Sequence, residues 1–242
     1  MQRDGSTKNN ISAADFDIVI GDALSNWTSV TCADGNHPTI GVMALGPVVC
    51  DKVEYNKTKS NANIYMFRDD EWTGTGANAL ALTTVWYDYK TGKIYDADVE
   101  VNGTSGRITN SAPEDGADLP SIITHESGHF LGLDHSQNTS ATMYAYYMPG
   151  RDNLRVLTDD DIAGICEIYP SNRTIASSSC TPRHGFSGSC AAQQDDGGCT
   201  TARAVGSAKS RSSALGALGA VCALGIALRR RRASARGRRL SP

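Results

Sequence analysis

The chain has 242 residues and a mass of 25.7 kDa, enough for one domain of about 150 to 200 residues and a tail. With 40% hydrophobic and 20% charged residues, wholesale disorder is excluded. The net charge of −3 conceals a split: up to Asp196 there are 13 Lys and Arg against 26 Asp and Glu, and the other 10 basic residues fall in 203–242 without any acid. So acidic a body excludes nucleic acid as the partner, since phosphate binding needs a basic face.

Residues 12–28 are predicted to form an amphipathic helix, with Ser12 as N-cap and Phe16, Ile20, Ala23, Leu24 and Trp27 on one face. Short β-like runs follow at Thr39–Leu45, Asn63–Phe67, Ala79–Tyr87 and Ile94–Val101, separated by turns such as Thr91-Gly92-Lys93 and Asn102-Gly103. A second helix is expected over Leu119–Leu131. A third is expected over Thr158–Ile168, with Thr158 as N-cap and Asp159, Asp160 and Asp161 complementing its positive end. Pro170 stops it. Strands that precede helices, rather than alternating with them, imply an α+β fold.

The domain is expected to span 1–172. Residues 173–213 read as a Ser/Gly-rich linker, 214–228 as a short transmembrane segment in the form of an uncharged hydrophobic helix, and 229–242 as an Arg-rich tail. The apolar run of 15 is short for a full membrane span, which needs about 20 residues.

None of the seven cysteines forms a CxxC pair, and none has zinc-ribbon spacing. The expectation is an oxidising compartment with two disulfides. One closes a small Cys180–Cys190 loop; the other joins two of Cys32, Cys50 and Cys166. Residues 1–20 contain no signal-peptide core, so export implies a true start upstream of Met1.

The chemistry concentrates in His125-Glu126-Ser127-Gly128-His129-Phe130-Leu131-Gly132-Leu133-Asp134-His135. On a helix, His125 and His129 lie one turn apart on the same face and can grip one metal ion. Gly132 can adopt positive φ, end the helix and return the chain so that His135 becomes a third ligand. Three neutral imidazoles with one open position describe a catalytic zinc site rather than a closed structural one. Glu126 is placed to act as general base on water at that position. The chance occurrence of such a string is on the order of one in a hundred thousand.

The string HESGHFLGLDHS resembles the zinc signature of metzincin endopeptidases, and Ser136 after the third His points to their matrixin branch. Met143, in Ser140-Ala141-Thr142-Met143-Tyr144, resembles the Met-containing turn beneath the metal. LTDDDIAGICEIYP resembles the final matrixin helix. ALALTTVWYDYKTGKIYDADVEVN resembles the paired strands before the active-site helix. The resemblance implies a zincin fold: three helices and a twisted five-stranded mixed sheet with an antiparallel edge strand. It also implies hydrolysis of protein or peptide substrates by a Glu126-activated, zinc-bound water. The substrate would lie along Ala79, Leu80, Ala81 and Leu82, with Tyr144, Tyr146 and Tyr147 walling a pocket. A second, His-rich zinc site is not expected, because only His37 and His184 remain. The position two residues after Met143 is Ala145 rather than the Tyr of astacin-like relatives. Calcium is a further candidate ligand, at Asp96, Asp98 and Glu100.

The tail resembles the MYXO-CTERM sorting signal, which implies processing near Cys199 and attachment to the cell surface, or release from it. The expected protein is therefore an exported, monomeric zinc endopeptidase that meets the membrane through its C-terminal tail. The alternatives are a non-catalytic adhesin on a zincin scaffold and a zinc hydrolase acting on a non-peptide amide.

Overall fold

A computed structural model describes residues 5–74, 76, 78–111, 116–174 and 184–190, together with the backbone of 238–240. These residues all belong to one compact unit made of 1–194 and 237–242. The second unit, 195–236, lies outside the described residues, as do Cys180, most of the predicted linker, Cys199 and the apolar run 214–228. Among the described residues no helix is long and apolar enough to cross a membrane.

Helix α1 spans Ala13–Thr28 and begins where expected. The Ser12 side chain accepts a hydrogen bond from the Asp15 N–H, which satisfies one of the free donors of the first turn. Its buried stripe is Phe16, Val19, Ile20, Ala23, Leu24 and Trp27. Helix α2 spans Leu119–Phe130, with Asp118 as N-cap accepting from the Ser121 N–H at 3.0 Å. Helix α3 spans Asp159–Ile168, and a capping box between Thr158 and Asp161 starts it.

The main sheet is built from β1 (Tyr65–Arg68), β2 (Ala81–Tyr87) and β3 (Ile94–Asn102), with a C-terminal strand β6 (Arg238–Leu240), in the order β1-β3-β2-β6. β1 runs parallel to β3, and β2 runs antiparallel to it, with Thr83 opposite Val99. β6 lies antiparallel on the outer edge of β2, opposite Thr83, Thr84 and Val85. A separate parallel pair, β4 (Ile108–Thr109) and β5 (Ala117–Asp118), delivers the chain into α2. The fold is thus α+β with three α-helices and a mixed sheet, but the described residues do not form the expected single five-stranded sheet.

The alternation of β3 divides the molecule. Val99 and Val101 face a core made with Tyr65, Phe67, Ala81, Phe16, Ile20, Ile122 and Ile123. Asp96, Asp98 and Glu100 alternate with them along the strand and are also buried. The carboxylate of Asp98 accepts the backbone N–H groups of Ile64 and Glu54 at 3.0 and 3.1 Å, and Glu100 pairs with Arg68 at 2.7 Å.

Two expectations need correction. Thr39–Leu45 is not a strand: no neighbouring strand receives its backbone groups, Gly41 interrupts it, Gly46-Pro47 follows it, and Val42, Met43 and Leu45 are exposed. Cys190 does not pair with Cys180 but with Cys50, 140 residues away. Residues 184–190 lie along the segment that bears Cys50, and Gly188 O accepts from Val49 N and Cys50 N. That contact carries the sulfur of Cys190 to its partner. The other bridge is Cys32–Cys166, one of the three pairings left open by the sequence. It ties the loop after α1 to α3 across 134 residues.

A bridge closing so long a loop stabilises by roughly 2–5 kcal/mol. Replacing Cys32 and Cys166 together by Ser is expected to lower the thermal midpoint by roughly 5–15 °C. Circular dichroism melting of the full chain checks this; an unchanged midpoint would show that the bridge contributes nothing.

Candidate metal centre

Helix α2 presents His125 and His129 one turn apart, both buried, and carries Glu126 between them. After Phe130 the chain turns. Gly132 has φ 104°, its N–H bonds to His129 O, and Leu133 N–H bonds back to Gly128 O at 2.9 Å. A side chain is strained at that φ, and a Cβ there would stand 3.0 Å from Ile94 Cδ1. The reversal brings His135 against the other two rings. Ring centroids are 4.8 Å apart for His125–His129, 4.7 Å for His129–His135 and 5.4 Å for His125–His135.

Hydrogen bonds decide which nitrogens face inward. His125 Nδ1 lies 2.6 Å from Thr142 O, and His129 Nδ1 lies 2.8 Å from Leu133 O. A carbonyl only accepts, so in both rings the proton sits on Nδ1 and the Nε2 lone pair is free. His125 Nε2 is buried and has no partner. His129 Nε2 faces His135 Nε2 at 3.2 Å. One nitrogen from each ring lies within 4.8 Å of the others. Burial lowers His125 to about 4 and His129 to about 3, and it lowers His135 as well, so all three are neutral near pH 7. An orphaned buried nitrogen on His125 and a free Nε2 on His129 that faces a ring nitrogen of His135 fit a divalent cation at their centre. Three imidazoles leave it an open position, as zinc chemistry requires.

Glu126 is 1% exposed, and burial raises its carboxyl to about 8. Its Oε2 accepts from Thr83 Oγ1 on β2 at 2.5 Å. Leu80, Ile122, Tyr144, Ala145, Tyr147 and Leu154 join His125 and Glu126 around a small cavity. Of the predicted substrate residues, Leu80, Tyr144 and Tyr147 therefore meet beside the metal centre. Ala81 and Leu82 are fully buried within β2, and Ala79 O is held by Asn102 Nδ2 at 2.8 Å. Tyr146 is 73% exposed and packs on Tyr144 rather than lining the cavity. The Tyr147 hydroxyl accepts from Asp118 N and donates to Arg151 O, which fixes the ring in place.

Met143 lies beneath the helix, buried with Trp27, Leu131 and Ile165. Gly128 makes this approach possible, because a Cβ there would fall 2.2 Å from Met143 Sδ and 2.8 Å from the Trp27 ring. Two residues do more than the sequence assigned them, which was a helix face for Trp27 and a helix end for Asp161. Asp161, 2% exposed, accepts the N–H groups of Thr142 and Met143 at 2.8 and 3.0 Å. Trp27 Nε1 donates to Thr124 O at 2.8 Å, fastening α1 to α2.

The acids proposed for calcium are arranged differently. Asp98 and Glu100 are occupied as described above. Asp96 has both oxygens buried and unpartnered, and burial followed by the charges of Asp98 and Glu54 raises its pKa. Among the described residues, Asp96, Asp98 and Glu100 are not a trio whose donor atoms converge within 4.8 Å. The second convergent group, Cys50, Glu54 and Cys190, has its two sulfurs joined in the disulfide.

Gly128→Ala is expected to push Met143 and the Trp27 ring off the helix and to destabilise the protein by about 1–3 kcal/mol. Denaturant unfolding with parallel zinc analysis measures both effects. Wild-type stability would show that Met143 does not press on the helix.

Comparison with known proteins agrees with this geometry. The matrixin family model matches residues 5–170. The chain is similar to metalloendoproteinase 1-MMP of Arabidopsis thaliana, 29% identical over 170 residues, covering 67% of this chain and 40% of that protein. It is 42% identical over 78 residues to metalloendoproteinase 1 of Glycine max, covering 32% of this chain and 25% of that protein. It is 28% identical over 117 residues to karilysin of Tannerella forsythia, covering 48% and 24%. The chain thus spans less than half the length of each of these relatives. With the His125-His129-His135 centre, the Gly132 reversal and the Met143 turn all inside the matched segment, the chain belongs to the matrixin family.

Proposed function

We propose that this chain is a zinc-dependent endopeptidase that hydrolyses peptide bonds in proteins. The observation that carries the reading is a buried carboxylate, Glu126, beside three converging neutral imidazoles at the wall of a cavity. Zinc held by His125, His129 and His135 would supply Lewis acidity and an open coordination position. The positive charge of the bound cation would favour the ionised carboxylate against the burial that raises its pKa, and in that form Glu126 takes a proton from the attacking water and hands it to the departing amine. Its burial keeps bulk solvent from competing for that proton. The outer edge of β2 accepts an antiparallel strand, as its pairing with Arg238–Leu240 illustrates. A substrate extended along Ala79–Leu82 would use the same kind of backbone hydrogen bonding next to that stretch, with Tyr144 and Tyr147 beside the cavity.

Two disulfides support an exported protein working in an oxidising compartment. Processing near Cys199 and surface attachment through 214–228 complete the proposal and rest on the sequence of the tail.

Glu126→Ala is expected to keep one zinc per chain while cleavage of casein falls at least about 100-fold. A chelator is expected to abolish cleavage, and added zinc to restore it. If the variant cleaves at the wild-type rate, the assigned base is wrong. If the wild-type protein binds zinc yet cleaves nothing, the binding-module reading replaces this one.

A further inference from the structure

Thr83 is the one polar residue in the helix-facing register of β2, between Ala81 and Val85 and opposite Val99. It is fully buried. The neighbouring core residues Ala81, Val99, Val101 and Tyr65 show what that position would ordinarily hold: apolar or aromatic bulk. A threonine hydroxyl there needs a partner, and it finds one 43 residues away. Thr83 Oγ1 lies 2.5 Å from Glu126 Oε2 and 3.3 Å from Glu126 O. Both acceptors belong to the same residue. In the ionised state in which Glu126 acts as a base, its Oε2, like the carbonyl oxygen, only accepts, so the hydroxyl proton points at Glu126. Among the described residues this is the only side-chain hydrogen bond that the Glu126 carboxylate makes.

The geometry points to Thr83 as a positioning residue for Glu126: its hydroxyl pins Oε2 against β2 and so leaves Oε1 as the oxygen that exchanges the proton. This deepens, and rests on, the endopeptidase reading. A glutamate side chain has three rotatable bonds, and α2 alone fixes none beyond the first. Apolar neighbours limit where the carboxylate can go but do not choose among its rotamers. One charge-assisted hydrogen bond to a β-branched residue does choose, because the χ1 of that residue is itself restricted in a strand. The same bond couples the base to the strand along which substrate would lie. Thr84, the next residue, belongs to the opposite face and its Oγ1 is buried without a partner, so the pairing depends on register and not merely on composition.

The test compares Thr83→Val with Thr83→Ser in the full-length chain. Valine keeps the shape and removes the donor; serine keeps the donor and loses a methyl group. Both variants are expected to bind one zinc per chain and to melt cooperatively. Thr83→Val is expected to lose about 10- to 100-fold in kcat for a peptide substrate, with KM within about threefold of wild type. Thr83→Ser is expected to retain kcat within a few-fold. Crystal structures of the metal-free variants supply a reading independent of turnover: Glu126 leaves its wild-type rotamer in Thr83→Val and keeps it in Thr83→Ser. Wild-type kcat in Thr83→Val, an equal loss in Thr83→Ser, or an unmoved Glu126 carboxylate in Thr83→Val overturns the proposal. Should Thr83→Val fail to fold, Thr83→Ala takes its place with the same expectations. Glu126→Ala, assayed in parallel, separates the two levels. Full activity in that variant sinks the endopeptidase mechanism, whereas the rotamer comparison still decides what Thr83 does.

Discussion

The carboxylate of Asp161 is the constraint on which the site depends. It sits buried at the start of α3 and accepts N–H groups from Thr142, Met143 and Thr158. A buried carboxylate with three backbone donors is well satisfied, and the loop it grips cannot drift without stranding that charge. Because Thr142 N is held, Thr142 O stays against His125 Nδ1. Because Met143 N is held, the methionine stays pressed on Gly128. A single acidic side chain thus sets the tautomer of one ligand and the floor beneath two of them.

A second layer of restraint comes from backbone carbonyls. Neutral imidazole carries one proton, and a carbonyl acceptor at Nδ1 decides where it resides. Thr142 O and Leu133 O do this for His125 and His129. Leu133 O is available only because the helix ends at Gly132 and the next residue folds back. The same glycine that aims His135 therefore also orients His129. Removal of water by the surrounding apolar clusters strengthens each of these interactions.

Much of this was legible in the chain itself, where the determinants are local. Ser12 and Thr158 mark helix starts because capping is settled within three residues. His125, Glu126, His129 and Gly132 declare the centre because helical spacing and one turn suffice to assemble it. Features that depend on distant contacts were not legible. Thr39–Leu45 has strand-like composition but acquires no neighbour. The Cys50–Cys190 pairing depends on a segment 140 residues away folding along the loop that carries Cys50. Asp161 looked like a residue complementing a helix end, and its grip on Thr142 and Met143 appears only once α3 packs against the turn. Thr83 looked like ordinary strand material until the register placed its hydroxyl on Glu126.

The Cys50–Cys190 bridge has a consequence for how such a protein could be trimmed. Its two cysteines lie on either side of α3 in the chain, so a nick anywhere between α3 and Cys190 would cut the polypeptide without parting it. The distal fragment, with whatever follows it, would stay fastened to the body through sulfur. Separation would then require two events of different chemistry, scission of an amide and reduction of a disulfide, and a non-reducing gel would show a single undivided band.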